Sequence, residues 1–118
     1  MNLEYLFGLE FHGHKFGLEN IRALTDALGR PQSAYRTVSV AGTNGKGSVC
    51  AMAARALTAA GHRTGLYTSP HMVTLRERFV VDGEMVTDAE VTAALDEVRA
   101  AIDRLIEHGG LHAQPTFF

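Results

Sequence analysis

The chain has 118 residues, 46% of them hydrophobic and 20% charged, with a net charge of -2. This is one domain or part of one, long enough to bury a core, and its charge balance excludes the basic footprint of a nucleic-acid binder. The single cysteine, Cys50, excludes an internal disulfide and fits a reducing, cytoplasmic setting. No apolar run reaches the ~18 residues of a membrane span, and no secretory signal is expected.

Residues 3–9 suit a short helix, and the following F-H-G-H-K-F-G at 11–17 is too glycine-punctuated for regular structure. Leu18, Ile21, Leu24 and Leu28 then recur at helical spacing. Gly29 falls where a left-handed cap belongs, and Pro31 bars continuation. The β-branched run at 37–41 reads as a strand. The next helix, 47–60, is expected to turn Val49, Met52, Ala53, Ala56 and Leu57 inward and to stop at Gly61.

Residues 64–68 read as a second buried strand that turns at Ser69-Pro70-His71. A strand at 77–81 meets Asp82-Gly83, a hairpin signal, with 84–86 as the returning strand. Thr87-Asp88-Ala89-Glu90 matches a capping box. Behind it Val91, Leu95, Val98, Ile102 and Leu105 step by four and three through about residue 107, and Gly109-Gly110 ends that helix. The order strand, loop, helix, strand is a βαβ unit, which predicts a parallel sheet and a right-handed crossover.

The chemistry concentrates in residues 37–48, T-V-S-V-A-G-T-N-G-K-G-S. A strand delivers the chain, glycines let backbone N–H groups close around an anion, and the helix aims its positive end at the same place. The ligand class is a nucleotide polyphosphate. The loop departs from G-x-x-x-x-G-K-[ST] twice: Val40 stands at the first glycine position, and Gly47 follows Lys46 where a hydroxyl usually holds Mg²⁺. Ser48 or Ser69, at the carboxyl end of the next strand, must then supply that oxygen, and Ser69 is the better placed. Lys46 is assigned to the β- and γ-phosphates, with Thr43 and Asn44 adding contacts to the nucleotide.

The blocks A-G-T-N-G-K-G-S at 41–48, G-L-Y-T-S-P-H at 65–71, E-R-F at 77–79, H-K-F-G-L at 14–18 and P-T-F-F at 115–118 together resemble the folylpolyglutamate synthase/dihydrofolate synthase family. This is a branch of the Mur ligase superfamily, and the resemblance spans nearly the whole chain. It implies an α/β fold, a P-loop NTPase-like parallel sheet with flanking helices. Residues 1–118 would be the N-terminal part of the ATP-binding central domain. The implied reaction is ATP-dependent: a folate or dihydropteroate carboxylate becomes an acyl phosphate, and the amine of L-glutamate displaces phosphate to leave an amide.

Carried onto this chain, Gly42, Thr43, Asn44, Gly45, Lys46, Gly47 and Ser48 would bind ATP, and Ser69 would ligate Mg²⁺. Lys15 and Phe16, with Thr116, Phe117 and Phe118, would border the pterin cleft. The resemblance further implies a cytoplasmic, monomeric parent acting on small molecules, without nucleic acid or membrane. The family's second Mg²⁺ ligand and its carbamylated lysine lie past the aromatic block, so an N-terminal fragment with little or no activity is expected.

Other residues take plainer readings. Cys50 is a packing residue, and His71 shapes its turn rather than ligating metal. Glu77 and Arg78 form either an ion pair near the site or a solvated strand edge, and the remaining histidines show no ligand spacing. Three other functions stay open: a Mur-type ligase of cell-wall precursors, against which Gly47 argues; a P-loop kinase or nucleotide-binding module, which would need a full Walker pattern and a second acidic strand motif; and an interaction module with a degenerate loop.

Overall fold

The computed structural model describes residues 4–9, 17–111 and 114–116. The chain divides into two units, Met1–Arg36 with Thr92–Phe118, and Thr37–Val91.

The first unit is helical. It holds α1 (Glu4–Gly8), α2 (Glu19–Ala27), a 3-10 turn at Pro31–Ser33 and most of α4 (Asp88–Glu107). The spacing that predicts α2 puts Leu24 inward, where it joins Ala101, Ile102 and Leu111 in one cluster edged by Ala23, Leu28, Val98 and Leu105. Ile102 is 1% exposed; burying a side chain of that size contributes about 1.5–3 kcal/mol. After α4 the chain folds back, with Gly110 and Leu111 donating their N–H groups to the Leu105 carbonyl at 2.7 and 3.3 Å. That hook returns Leu111 to the core. On α1, Tyr5 lies under the Arg99 guanidinium, 4.9 Å from ring centroid to Cζ, and donates its hydroxyl to Gln114 Oε1 at 3.3 Å.

The second unit holds α3 (Lys46–Ala59), β1 (Gly65–Tyr67), β2 (Phe79–Val81) and β3 (Glu84–Met85), with a 3-10 turn at Leu75–Arg78 before β2. The strands form one sheet in the order β1-β2-β3, antiparallel throughout. The hairpin forms at Asp82-Gly83, as its sequence predicts: φ is 51° at Asp82 and 89° at Gly83, the two left-handed residues of a type I′ turn. Asp82 also closes the β1 end. Its N–H donates to Thr64 O at 2.8 Å, and its Oδ1 accepts from Thr64 N–H at 2.7 Å. At the other end Tyr67 and Phe79 stack obliquely, ring centroids 5.5 Å apart.

Helices and strands alternate as a mixed fold, but three expectations are corrected. The described residues form no parallel sheet and no βαβ unit, because residues 37–41 pair with nothing and Val38 is 81% exposed. A strand exists only through its neighbour's N–H and C=O groups, which β-propensity cannot supply. Val49, Met52, Ala53, Ala56 and Leu57 are exposed rather than inward, and among the described residues α3 packs chiefly on the short β1. Glu77 and Arg78 lie in the 3-10 turn, and the strand starts two residues later than predicted.

No helix among the described residues is long and apolar enough to cross a membrane.

Candidate functional site

The loop at 42–48 is solvent-exposed and opens directly into α3. Gly45 is the residue that makes the transition. Its φ of 77° reverses the chain at little steric cost, and its carbonyl accepts the first helical bond, from Val49 N–H at 3.0 Å. As the N-cap it offers no side-chain oxygen to the first-turn amides. Those N–H groups, gathered at the positive end of a 14-residue helix, are donors suited to an anion.

Lys46 begins the helix and arches back over the loop. Its ammonium donates to Gly42 O at 2.6 Å and to Thr43 O at 3.4 Å. The lysine therefore lies on the loop and not on the far side of the helix. Gly42, Thr43, Gly45 and Lys46 are tied in one turn, with Asn44 and Gly47 between and beside them and Ser48 one residue further along α3.

Ser69 lies two residues past β1. β1 packs beside α3, so Ser69 follows the carboxyl end of the strand that lies against the loop's helix. Ser69 opens a bent segment, 69–74, whose later residues are held by polar contacts. The Glu77 carboxylate accepts three successive backbone N–H groups: Met72 at 2.8 Å on Oε2, then Val73 at 2.9 Å and Thr74 at 2.8 Å on Oε1. These bonds hold its carboxyl below the usual carboxylate range, the Met72 amide foremost. Thr74 completes a capping box with Glu77.

Arg78, 7% exposed, donates Nε–H to His71 Nδ1 at 2.8 Å, and its carbonyl accepts from Thr68 N–H at 3.1 Å. His71 therefore shapes the turn, as predicted, and that bond needs its Nδ1 unprotonated. Glu77 and Arg78 form neither an ion pair with each other nor a solvated edge: each grips a different part of the turn. Sequence reading passed over this clamp, although Thr74-x-x-Glu77 has the same spacing as Thr87-x-x-Glu90 and carries the same signal.

No group of three or more His, Cys, Asp or Glu able to hold a metal occurs among the described residues. The hydroxyls weighed for a metal here are those of Ser48, in the first turn of α3, and Ser69, two residues past β1. Neutral hydroxyls suit Mg²⁺ that arrives already held by phosphate oxygens and water, and they do not suit a tightly resident metal. Thr116 is described and half-buried. Lys15, Phe16, Phe117 and Phe118 lie outside the described residues. Cys50 is half-buried in the second turn of α3.

No protein-family model matches the chain. It is 46% identical over 85 residues to the folylpolyglutamate synthase of Lacticaseibacillus casei, covering 72% of this chain and 20% of that protein. It is 39% identical over 108 residues to the dihydrofolate synthase/folylpolyglutamate synthase of Bacillus subtilis, covering 90% of this chain and 24% of that one. Among solved structures, a folylpolyglutamate synthase complex with AMPPCP and folate superposes with a TM-score of 0.85 at 35% identity, over 100% of this chain and 30% of that one. The chain thus spans about a quarter of the length of these relatives. In sequence and in fold alike, it corresponds to a part of the folylpolyglutamate synthase/dihydrofolate synthase family.

Proposed function

We propose that the chain is the phosphate-loop portion of an ATP-dependent amide ligase that joins L-glutamate to a folate-type carboxylate. The observation that carries the reading is the 42–48 loop, with Gly45 left-handed, uncapped first-turn amides behind it and the Lys46 ammonium folded over it. It stands in a chain that matches, over its whole length, a structure described as bound to an ATP analogue and folate.

In this reading the loop amides and Lys46 hold the ATP phosphates. The ammonium exchanges two neutral carbonyl partners for phosphate oxygens, a stronger charge-assisted pairing. A carboxylate is a poor electrophile, so the γ-phosphoryl group passes to it, giving an acyl phosphate and ADP. The glutamate amine then attacks the acyl carbon, phosphate leaves with the bonding pair, and the amine loses a proton. Lys46 offsets the charge that develops on the transferring group. Ser69 is the hydroxyl that would meet a Mg²⁺ held by the phosphates, and such an ion would supply further charge neutralisation. Lys15, Phe16, Thr116, Phe117 and Phe118 are assigned to the pterin cleft.

The same reading makes residues 37–41 one strand of a larger parallel sheet in the ATP-binding domain, completed by strands outside this chain. The unpaired run and the exposed apolar side of α3 support it. The protein is then a cytoplasmic monomer acting on small molecules, with no nucleic acid or membrane involved.

The test is product analysis on the protein that carries this chain, with ATP, L-glutamate and dihydropteroate or a reduced folate. The expected products are the glutamyl amide, ADP and phosphate. Turnover of a UDP-muramoyl substrate alone, or a phosphorylated small molecule with no amide, would replace this reading.

A further inference from the structure

We infer that Glu77 is a positioning residue for the Ser69 hydroxyl, acting through the backbone of the turn that joins them; the inference rests on the metal role proposed for Ser69.

The turn from 69 to 74 has no apolar anchor of its own. Met72 is 92% exposed and Val73 91% exposed, so the side chains that would ordinarily pin such a segment by burial contribute nothing. Its order comes from polar contacts instead. Glu77 gathers the N–H groups of Met72, Val73 and Thr74 on its two oxygens, and Arg78 fixes His71 and Thr68. Ser69 sits between Thr68 and His71, the two residues that Arg78 holds, and Glu77 holds the segment that follows from Met72 to Thr74.

The chemistry explains why such fixing matters. A carboxylate ligand can be drawn to a cation by charge over several ångströms. A serine hydroxyl is neutral and binds only where its oxygen already points, so its contribution depends on how rigidly its backbone is held. Both oxygens of Glu77 are engaged by main-chain N–H groups, so its effect would pass through the main chain.

Glu90 provides an internal comparison. It caps α4 by the same kind of bonds, accepting from Thr87 N–H at 2.7 Å and from Thr87 Oγ1–H at 2.8 Å, but it lies in a different segment from Ser69. A glutamate that merely stabilises its turn should behave as Glu90 does.

The experiment uses the protein that carries this chain, saturated with AMPPCP, and follows Mn²⁺ binding by the EPR signal of free Mn²⁺. Thermal unfolding is recorded for each variant. Glu77→Ala is expected to weaken Mn²⁺ binding by about 10-fold or more, the scale found for outer-shell partners of metal ligands. Glu90→Ala is expected to leave it unchanged while lowering the melting temperature. Glu77→Gln keeps one acceptor oxygen for Val73 and Thr74 and loses that for Met72, so it should fall between Glu77→Ala and the wild type; it also serves if Glu77→Ala fails to fold.

Ser69→Ala separates the two layers of the argument. If Ser69→Ala weakens Mn²⁺ binding and Glu77→Ala does not, the positioning role is wrong and the metal role stands. Equal shifts in Glu77→Ala and Glu90→Ala also overturn the positioning role. If Ser69→Ala changes nothing, the metal assignment fails and takes this inference with it.

Discussion

Arg78 and His71, seven positions apart, are joined side chain to side chain, Nε–H to Nδ1 at 2.8 Å. Arg78 is buried, so the bond is shielded from competing water. His71→Ala is expected to destabilise the protein by about 1–3 kcal/mol, since it removes an acceptor from a buried charged group. His71→Asn, whose amide oxygen can accept in place of Nδ1, should lose less. Urea unfolding of the two variants checks the order.

Glu90 and Glu77 are both held below the ordinary carboxylate range, Glu90 chiefly by the Thr87 backbone N–H and then by its hydroxyl, Glu77 chiefly by the Met72 N–H. A group whose folded pKa is depressed contributes stability that is present above its unfolded pKa and is lost as pH falls through the folded value. Glu90→Gln should therefore be less stable than the wild type near neutral pH, with the gap closing as the solution is acidified below the normal carboxylate range. Melting temperatures recorded from pH 7 down to about pH 3 would show it. A gap that widens in acid would contradict the hydrogen bonds described.

Gly45 has φ of 77°, yet a Cβ built there meets no heavy atom within 4 Å. Gly45→Ala should thus suffer only the torsional cost of a left-handed residue, about 1–2 kcal/mol. Because the same torsion aims the first-turn amides, nucleotide affinity should fall as well. Calorimetric titration with AMPPCP, beside thermal unfolding, separates the two losses.

Lys46→Ala removes the ammonium that lies on the loop. ATP turnover in the protein that carries this chain should drop by at least about 100-fold, since a charge clamp on a transferring phosphoryl group is worth several kcal/mol. Ser69→Ala should raise the Mg²⁺ requirement more than Ser48→Ala does. Steady-state rates against Mg²⁺ concentration decide between the two serines.

What could be read from the sequence was what is settled locally. α2, α3 and α4 declare themselves through spacing and caps, and Asp82-Gly83 through the torsions it tolerates. The turn into α3 is equally local, because a left-handed Gly45 and Lys46 folded back over residue 42 define it. The strand expected at 37–41 was a different kind of claim: its residues are suitable, but pairing is a property of two segments. The same holds for the apolar residues of α3, whose inward direction presumed a sheet to cover. The Glu77 clamp was legible in principle from Thr74-x-x-Glu77; the adjoining β-branched and aromatic residues 79–81 drew those positions into a strand instead.

The run at 37–41, with Val38 81% exposed, pairs with no strand among the described residues. Valine and threonine suit a ladder, so in the protein that carries this chain a neighbouring strand is expected to shelter these amides. Their hydrogen exchange there should be slow, and fast exchange at 37–41 would mean that no such neighbour exists.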